Sequence, residues 1–558
     1  MPPITLSSID GVPVIAAGLD GPVLAALSFP VGAVNEPLAQ RGISHIVEHL
    51  ALSGLGSRPY QYNGQVSPTT TTFSVQGTPA QVVEFLAHVC HALRDLPLDR
   101  FDDEVRILKV EAAGRRTGQV DLDLITRFGA VGPGAVGWRE YGLQSTTAAA
   151  AQQWADRWFV RFGAVLMTSS PLPDGMTLPL PLGEPAAAAA PREVLLSGRC
   201  WLPVDTKLVS VSVVRDSTDI PGGTLGIEAA RERAYAALRT RTALSYSVNA
   251  IQLPIADRRL LCQLVADGDP SAYASVLEQI ASALTDVCEH GPTEEELAFL
   301  RERHQLSAQD RGAILSMLSL NASRILRGQG VIQLEEYIDS INAVTPQNVV
   351  DILAPSLVAV LAIGPKSLGD ALPGWREVSG WSGHRVTGEV FLPRLGRERG
   401  TLTIGPDGVT WALHDRACRT VRWDECAAGL CWDNGARRVI GPDGLGVVVH
   451  PWAWIDGERL PILVDQYLGA GVRVVMDPGT GPKPPVDTGP PAAASGGRRR
   501  LRRLVSNPWL VLSVCAVVLV ACVIAGDQYL PSSDESYIWI LCVGLGVLSV
   551  RSARRVRR

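Results

Sequence analysis

The chain has 558 residues with 51 Lys+Arg against 56 Asp+Glu, a formal net charge of −5. That length allows about three to five domains at roughly 100–200 residues each. A charged fraction of 19% beside a hydrophobic fraction of 46% excludes a disordered chain, and the mild acidity gives no reason to expect nucleic acid as a partner. The ten cysteines include no C-x-x-C pair, which argues against a thiolate zinc site and a disulfide scaffold and favours a reducing compartment. The N-terminus lacks a basic region followed by a long apolar run, so it does not read as a secretory signal.

In chain order, residues 1–169 open with strand-like runs at 14–16 and 23–27, then a helical stretch at 42–53. The β-branched run Thr69–Val75 predicts a strand, and 80–93 and 98–115 have helical spacing. Residues 170–192 (SPLPDGMTLPLPLGEPAAAAAP within them) form a linker by composition. Residues 193–366 repeat the element order: strand at 207–214, helix at 226–241, strands at 246–252 and 259–266, helices at 271–289 and 293–309. This similarity suggests an internal duplication. Residues 375–475 read as a small β-rich barrel or sandwich with a closing helix at 461–468, with a faint pleckstrin-homology-like look around Thr420–Glu425.

Residues 476–504 form a Pro/Gly-rich tether ending in a basic cluster, and 505–558 read as a transmembrane hairpin. Pro508–Gly526 is uncharged over about 19 residues, long enough to cross a hydrocarbon core of roughly 30 Å, and a shorter apolar run covers 537–550. Arginines flank both runs on the outside, while the connector holds only Asp527, Asp534 and Glu535. Basic flanks belong on the cytoplasmic side, so the first roughly 500 residues are expected in the cytoplasm, anchored to a membrane. The expected fold class is α+β: two duplicated domains of antiparallel sheet with helices on one face, the small mostly-β domain, and the hairpin.

The strongest motif is His45-Ile46-Val47-Glu48-His49. On a helix, residues i and i+4 share a face, so both imidazoles reach one metal ion, with Glu48 on the same side. Two neutral imidazoles leave Zn²⁺ in need of a third ligand, and a nearby carboxylate can take a proton from a water that zinc acidifies. Downstream, Glu104 and Glu111 stand seven residues apart, two helical turns on one face, and either can supply the missing oxygen. His88 and His91 are assigned to an ordinary amphipathic helix. Cys418, Cys426 and Cys431 with His414 lack a zinc spacing and are assigned to buried β-structure.

The segment GISHIVEHLALSG, with the E-x6-E helix some sixty residues on, resembles the pitrilysin/insulinase-like metallopeptidases, whose inverted zinc motif is H-x-x-E-H. The stretch Leu238-Arg239 to Leu244, Tyr246 and Val248 is similar to that family's L-R-x-x-x-x-L-x-Y-x-V signature. The resemblance covers roughly residues 5–366. It implies that His45, His49 and Glu111 bind Zn²⁺, that Glu104 supports the site from nearby, and that Glu48 is the general base. It further implies that Arg239 and Tyr246 reach across to a bound peptide, a guanidinium clamping its carbonyls and a phenol donating to the developing oxyanion. Ser67 stands where the family has Asn, and the spacing between His49 and Glu111 is short. The implied activity is zinc-dependent endoproteolysis of peptides or unfolded segments in a clam-like chamber, completed by a second copy or a related subunit. The alternatives are a non-catalytic peptide-binding or scaffolding subunit of the same fold, or a ligand-sensing module serving the tail.

Overall fold

Val23–Phe29 (VLAALSF) is apolar at nearly every position, and it lies inside a six-stranded sheet. The computed structural model describes residues 2–187, 192–216, 220–395, 398–414 and 417–483. The first sheet comprises β1 (Thr5–Ile9), β2 (Val12–Ala16), β3 (Val23–Phe29), β4 (Gln61–Val66), β5 (Thr71–Gly77) and β6 (Val165–Thr168), in the order β1-β2-β6-β3-β5-β4. The second comprises β7 (Gly198–Val204), β8 (Leu208–Asp216), β9 (Val248–Ala256), β10 (Arg259–Asp267), β11 (Ala359–Pro365) and β12 (Arg376–Glu377), in the order β12-β7-β11-β8-β10-β9. Five positions correspond: β2-β6-β3-β5-β4 matches β7-β11-β8-β10-β9.

The sheets are mixed rather than antiparallel as expected. β6 returns between β2 and β3, parallel to β2, and β11 does the same beside β7. β6 and β11 each arrive after a long helical crossover, the kind of connection a parallel pairing needs. β4 was not anticipated. Its partly buried positions alternate as Tyr62, Gly64 and Val66, a pattern that Gly64 interrupts, and it is the sheet edge, paired only to β5.

The helices of the first half include α1 (Ile43–Leu52), α2 (Pro79–Arg94), α3 (Phe101–Gly114) and α4 (Gln119–Phe128). α1 and α2 cover the first sheet, sharing a core of Leu27, Phe29, Ile46, Leu50, Phe73 and Phe85. Helices were expected on one face of each sheet, but the halves exchange helices to cover both. The helix Arg311–Leu326 of the second half packs Ile314 and Leu318 against Ile15 and Val165 of the first sheet. α4, its counterpart in element order, brings Leu124 and Phe128 against Ile255 and Leu261 of the second.

α4 also carries a buried ion pair, Arg127 Nε to Asp123 Oδ1 at 2.6 Å, both side chains 0% exposed. Arg127 donates further to the Ser212 and Ala359 carbonyls, and Gln263 donates to the second Asp123 oxygen at 3.0 Å. A helix from one half thus has its charges satisfied by strands of the other.

The stretch 170–192, expected as a linker, is packed through most of its described length. Leu178 and Leu180 are buried in the first core, the Leu178 N–H donates to Asp10, and the Pro181 and Gly183 carbonyls accept from Arg161 and Phe162. Proline richness there marks an extended chain on a surface rather than a free tether. Residues 389–475 form two four-stranded sheets with the helix Leu460–Tyr467. That helix does not close the domain as a pleckstrin-homology-like ending would. The chain returns as Arg473–Val475, parallel to Ala428–Cys431.

Cys90, Cys200, Cys262, Cys288, Cys418, Cys426 and Cys431 are buried and unpaired, and burial pushes the Cys90 and Cys288 thiols up to about 12. Among the described residues no helix is long and apolar enough to cross a membrane. The expected hairpin and most of its tether lie outside the described residues.

Replacing Asp123 with Ala would leave the Arg127 guanidinium buried without its carboxylate. Breaking a buried pair in this way costs about 3–5 kcal/mol, so urea denaturation of Asp123→Ala is expected to show a loss of that size.

Candidate metal centre

The helix that carries the histidines begins without a side-chain cap of its own. Gly42 is its N-cap at φ +101°, a conformation that glycine adopts without strain. The Glu36 carboxylate, buried beside it, accepts from the Gly42 and Ser44 N–H groups at 2.8 Å each. It thereby satisfies two donors left open at the helix start and sets a negative charge on the positive end of the dipole. Arg41 pairs with Glu36 at 2.7 Å and fixes the carboxylate.

From that start, His45 and His49 project one turn apart. Each imidazole is oriented through its Nδ1: His45 by Glu140 at 3.2 Å, and His49 by Glu104 at 3.3 Å. Those contacts leave both Nε2 atoms facing a common point. Glu111 on α3 reaches it with one oxygen 3.9 Å from His45 Nε2 and the other 3.8 Å from His49 Nε2. Glu48 lies at 3.8 and 3.9 Å from the same two atoms. Among the described residues, His45, His49 and Glu111 form the group that could hold an ion, their ligand atoms within 4.8 Å of one another.

The two carboxylates differ in setting. Glu111's side chain is 60% exposed and Glu48's is 6%. Glu48 is backed by Gly64 of β4, where a Cβ would fall 1.7 Å from a Glu48 oxygen. Burial pushes the Glu48 carboxyl above the usual range, against the pull of His49 and His45. Burial alone would depress His45, but the hydrogen bond to Glu140 and the surrounding carboxylates hold it above its ordinary value. Glu140 would rise on burial, but His45 and Arg41 bring it below the usual range.

The donor set fits zinc. Zinc takes imidazole nitrogen and carboxylate oxygen at about 2.0–2.2 Å, the donor types present here, and the Glu111 carboxylate that has to close on the ion is exposed. Four carboxylates converge on two imidazoles, an arrangement that favours a cation. Nδ1-to-carboxylate contacts are the usual outer support of a metal-bound histidine.

Arg239 and Tyr246 lie together, though not in the metal cluster. The Arg239 guanidinium sits 4.5 Å over the Tyr246 ring and donates to the Tyr246 carbonyl at 2.7 Å. Arg239 lies in a widened π turn (Ala236–Arg241), a local geometry frequent at functional sites. Tyr246 is 74% exposed, and the pair lines a cleft of about 880 Å³. Asp267 shapes the loop by accepting from the Tyr246 and Ser247 N–H groups and the Ser245 hydroxyl. Burial opposes ionisation of Asp267, but those donors hold its carboxyl below the ordinary value.

Sequence reasoning singled out Glu104 and missed Glu36, Arg41, Glu140 and Asp267. These four sit in turns or at a strand end, where no spacing signals their use. His88 is half-buried, with its pKa lowered by burial, and His91 contacts Arg94. Cys418 and Cys431 sit on buried strands, and Cys426 is buried just after an exposed turn.

Residues 222–303 match the family described as the Peptidase M16 inactive domain. The fold is similar to that of a protease from Helicobacter pylori, with a TM-score of 0.53 and 13% identity over 65% of this chain and 100% of that one. It is likewise similar to a chain of Complex III2 from Candida albicans (TM-score 0.55, 12% identity, 66% of this chain and 97% of that one). A peptidase M16 inactive domain from Pseudomonas fluorescens gives a TM-score of 0.54 at 14% identity, over 65% of this chain and 98% of that one. No curated protein matches the chain. These likenesses show a mixed α+β fold of the M16 peptidase kind.

A side chain at position 64 has to displace the Glu48 carboxylate from its buried seat. Gly64→Ala is expected to cost about 1–3 kcal/mol, the usual range for overpacking, read as a lowered midpoint in thermal or urea denaturation.

Proposed function

We propose that the chain is a zinc-dependent endopeptidase acting on peptides or unfolded segments. The observation that carries this reading is the meeting of His45, His49 and Glu111 at one point with the buried Glu48 beside it. His45 and His49 would hold the ion through Nε2, their tautomers set by Glu140 and Glu104, and Glu111 would be the third ligand. When bound, zinc supplies Lewis acidity that polarises a carbonyl and lowers the pKa of water. Glu48 takes the proton from the attacking water and returns it to the leaving amine, a role suited to a carboxyl that burial pushes above its ordinary value. Arg239 and Tyr246 face a cleft open enough for an extended peptide, which they would position through carbonyl contacts.

A second copy or a related subunit would complete the chamber. The two-domain length matched in the Helicobacter pylori and Candida albicans chains, the latter part of a complex, is compatible with such pairing. Anchorage to a membrane through residues 505–558, with the fold on the cytoplasmic side, remains part of the proposal on sequence grounds.

A second reading is a non-catalytic subunit of the same fold, favoured by the inactive-domain match. That match falls on residues 222–303, the half without the histidine cluster, so it does not bear on His45 or His49.

Zinc content and cleavage of an unfolded polypeptide separate the two readings. Glu48→Gln is expected to retain bound zinc and lose about 10²–10⁴-fold in rate, the range for removal of a general base. Equal cleavage by wild type and variant would remove the catalytic reading.

A further inference from the structure

The β-rich domain is not a free appendage, since it seats on the same segments that support the histidines. Leu430, Ile440 and Val474 pack with Leu38, Ala130 and Tyr141 of the first half. The Ala130 N–H donates to the Pro442 carbonyl at 3.0 Å. Gly129, at φ +72°, makes this approach possible, since a Cβ there would fall 2.1 Å from the Pro442 oxygen. The Arg438 guanidinium lies 5.6 Å over the Trp138 ring. The contacted loop, 129–141, contains Glu140, the residue that orients His45.

A second attachment falls on the other ligand-bearing element. Lys109, two residues before Glu111 on α3, pairs with Asp477 at 2.8 Å. Asp477 follows the last strand of the β-rich domain, Arg473–Val475. The domain therefore holds both the loop that aims His45 and the end of the helix that presents Glu111. Within the first half Arg41 also holds this loop, pairing with Glu140 at 3.7 Å and donating to the Ala135 carbonyl at 3.2 Å, whereas the last turns of α3 are largely exposed.

We propose that the β-rich domain is a brace for the metal centre, with Arg438 and Asp477 as positioning residues that act through Trp138 and Lys109. This rests on the zinc reading for its functional meaning, though not for the attachment itself. Two partly exposed contacts can be cut without touching a core: Arg438→Ala and Asp477→Asn, combined in the full-length chain. Zinc affinity is measured by competition with a chromogenic chelator, and hydrogen exchange is followed in peptides covering 105–114 and 129–142.

The double variant is expected to bind zinc about tenfold more weakly, at the lower end of the loss seen when outer support of a metal ligand is removed. Exchange should rise in those two segments while the α2 and β3 peptides keep wild-type protection. Unchanged affinity together with unchanged exchange would overturn the brace. If the wild type binds no zinc, the zinc reading fails by itself, and faster exchange at 105–114 and 129–142 would still support the brace.

Discussion

Two imidazoles one helical turn apart can share an ion only if something outside the helix turns their free nitrogens the same way. Here that constraint is met by carboxylates from separate places: Glu104 from α3 and Glu140 from the loop after α4, each on one Nδ1. The helix is set in turn by Glu36, which stands in for a missing cap, and by Arg41, which pins Glu36. Loss of any of these carboxylates would leave the H-x-x-E-H sequence intact while freeing an imidazole to rotate or the helix to fray. The motif is necessary for the site, but the turns around it decide whether it is one.

The duplicated halves are interlocked. α4 completes its charge network on strands of the second sheet, and the helix Arg311–Leu326 covers the first. Such reciprocity joins the halves in one compact unit. It also puts the two functional stretches in corresponding places. α1 lies between β3 and the edge strand β4, and the turn bearing Arg239 lies between β8 and the edge strand β9. One copy offers lone pairs at this position and the other offers a permanent cation.

What the sequence made legible follows from periodicity. His45, Glu48 and His49 are visible because i, i+3 and i+4 mark one helical face, and Glu104 with Glu111 because seven residues span two turns. Glu140 lies among Trp138, Arg139 and Tyr141 in a turn, and its partner His45 is 95 residues away, a relation no local pattern records. β4 is short and its alternation of Tyr62 and Val66 is interrupted by Gly64. The proline-rich stretch after Ser170 reads as a spacer because composition registers what cannot be helix, whereas Leu178 and Leu180 are what bind it to the core. Parallel insertion of β6 and β11 is a property of the whole path and leaves no mark in either strand.

The buried thiols have a practical side. Seven cysteines within the described fold are shielded from solvent, and burial lifts the Cys90 and Cys288 thiols to about 12, far from the thiolate form that alkylating reagents attack. A cysteine placed on the open flank of α3, at exposed Val110 for example, would outpace all seven in reaction with a maleimide. Among the described residues the fold thus offers a quiet background for fixing a spectroscopic reporter one residue away from Glu111.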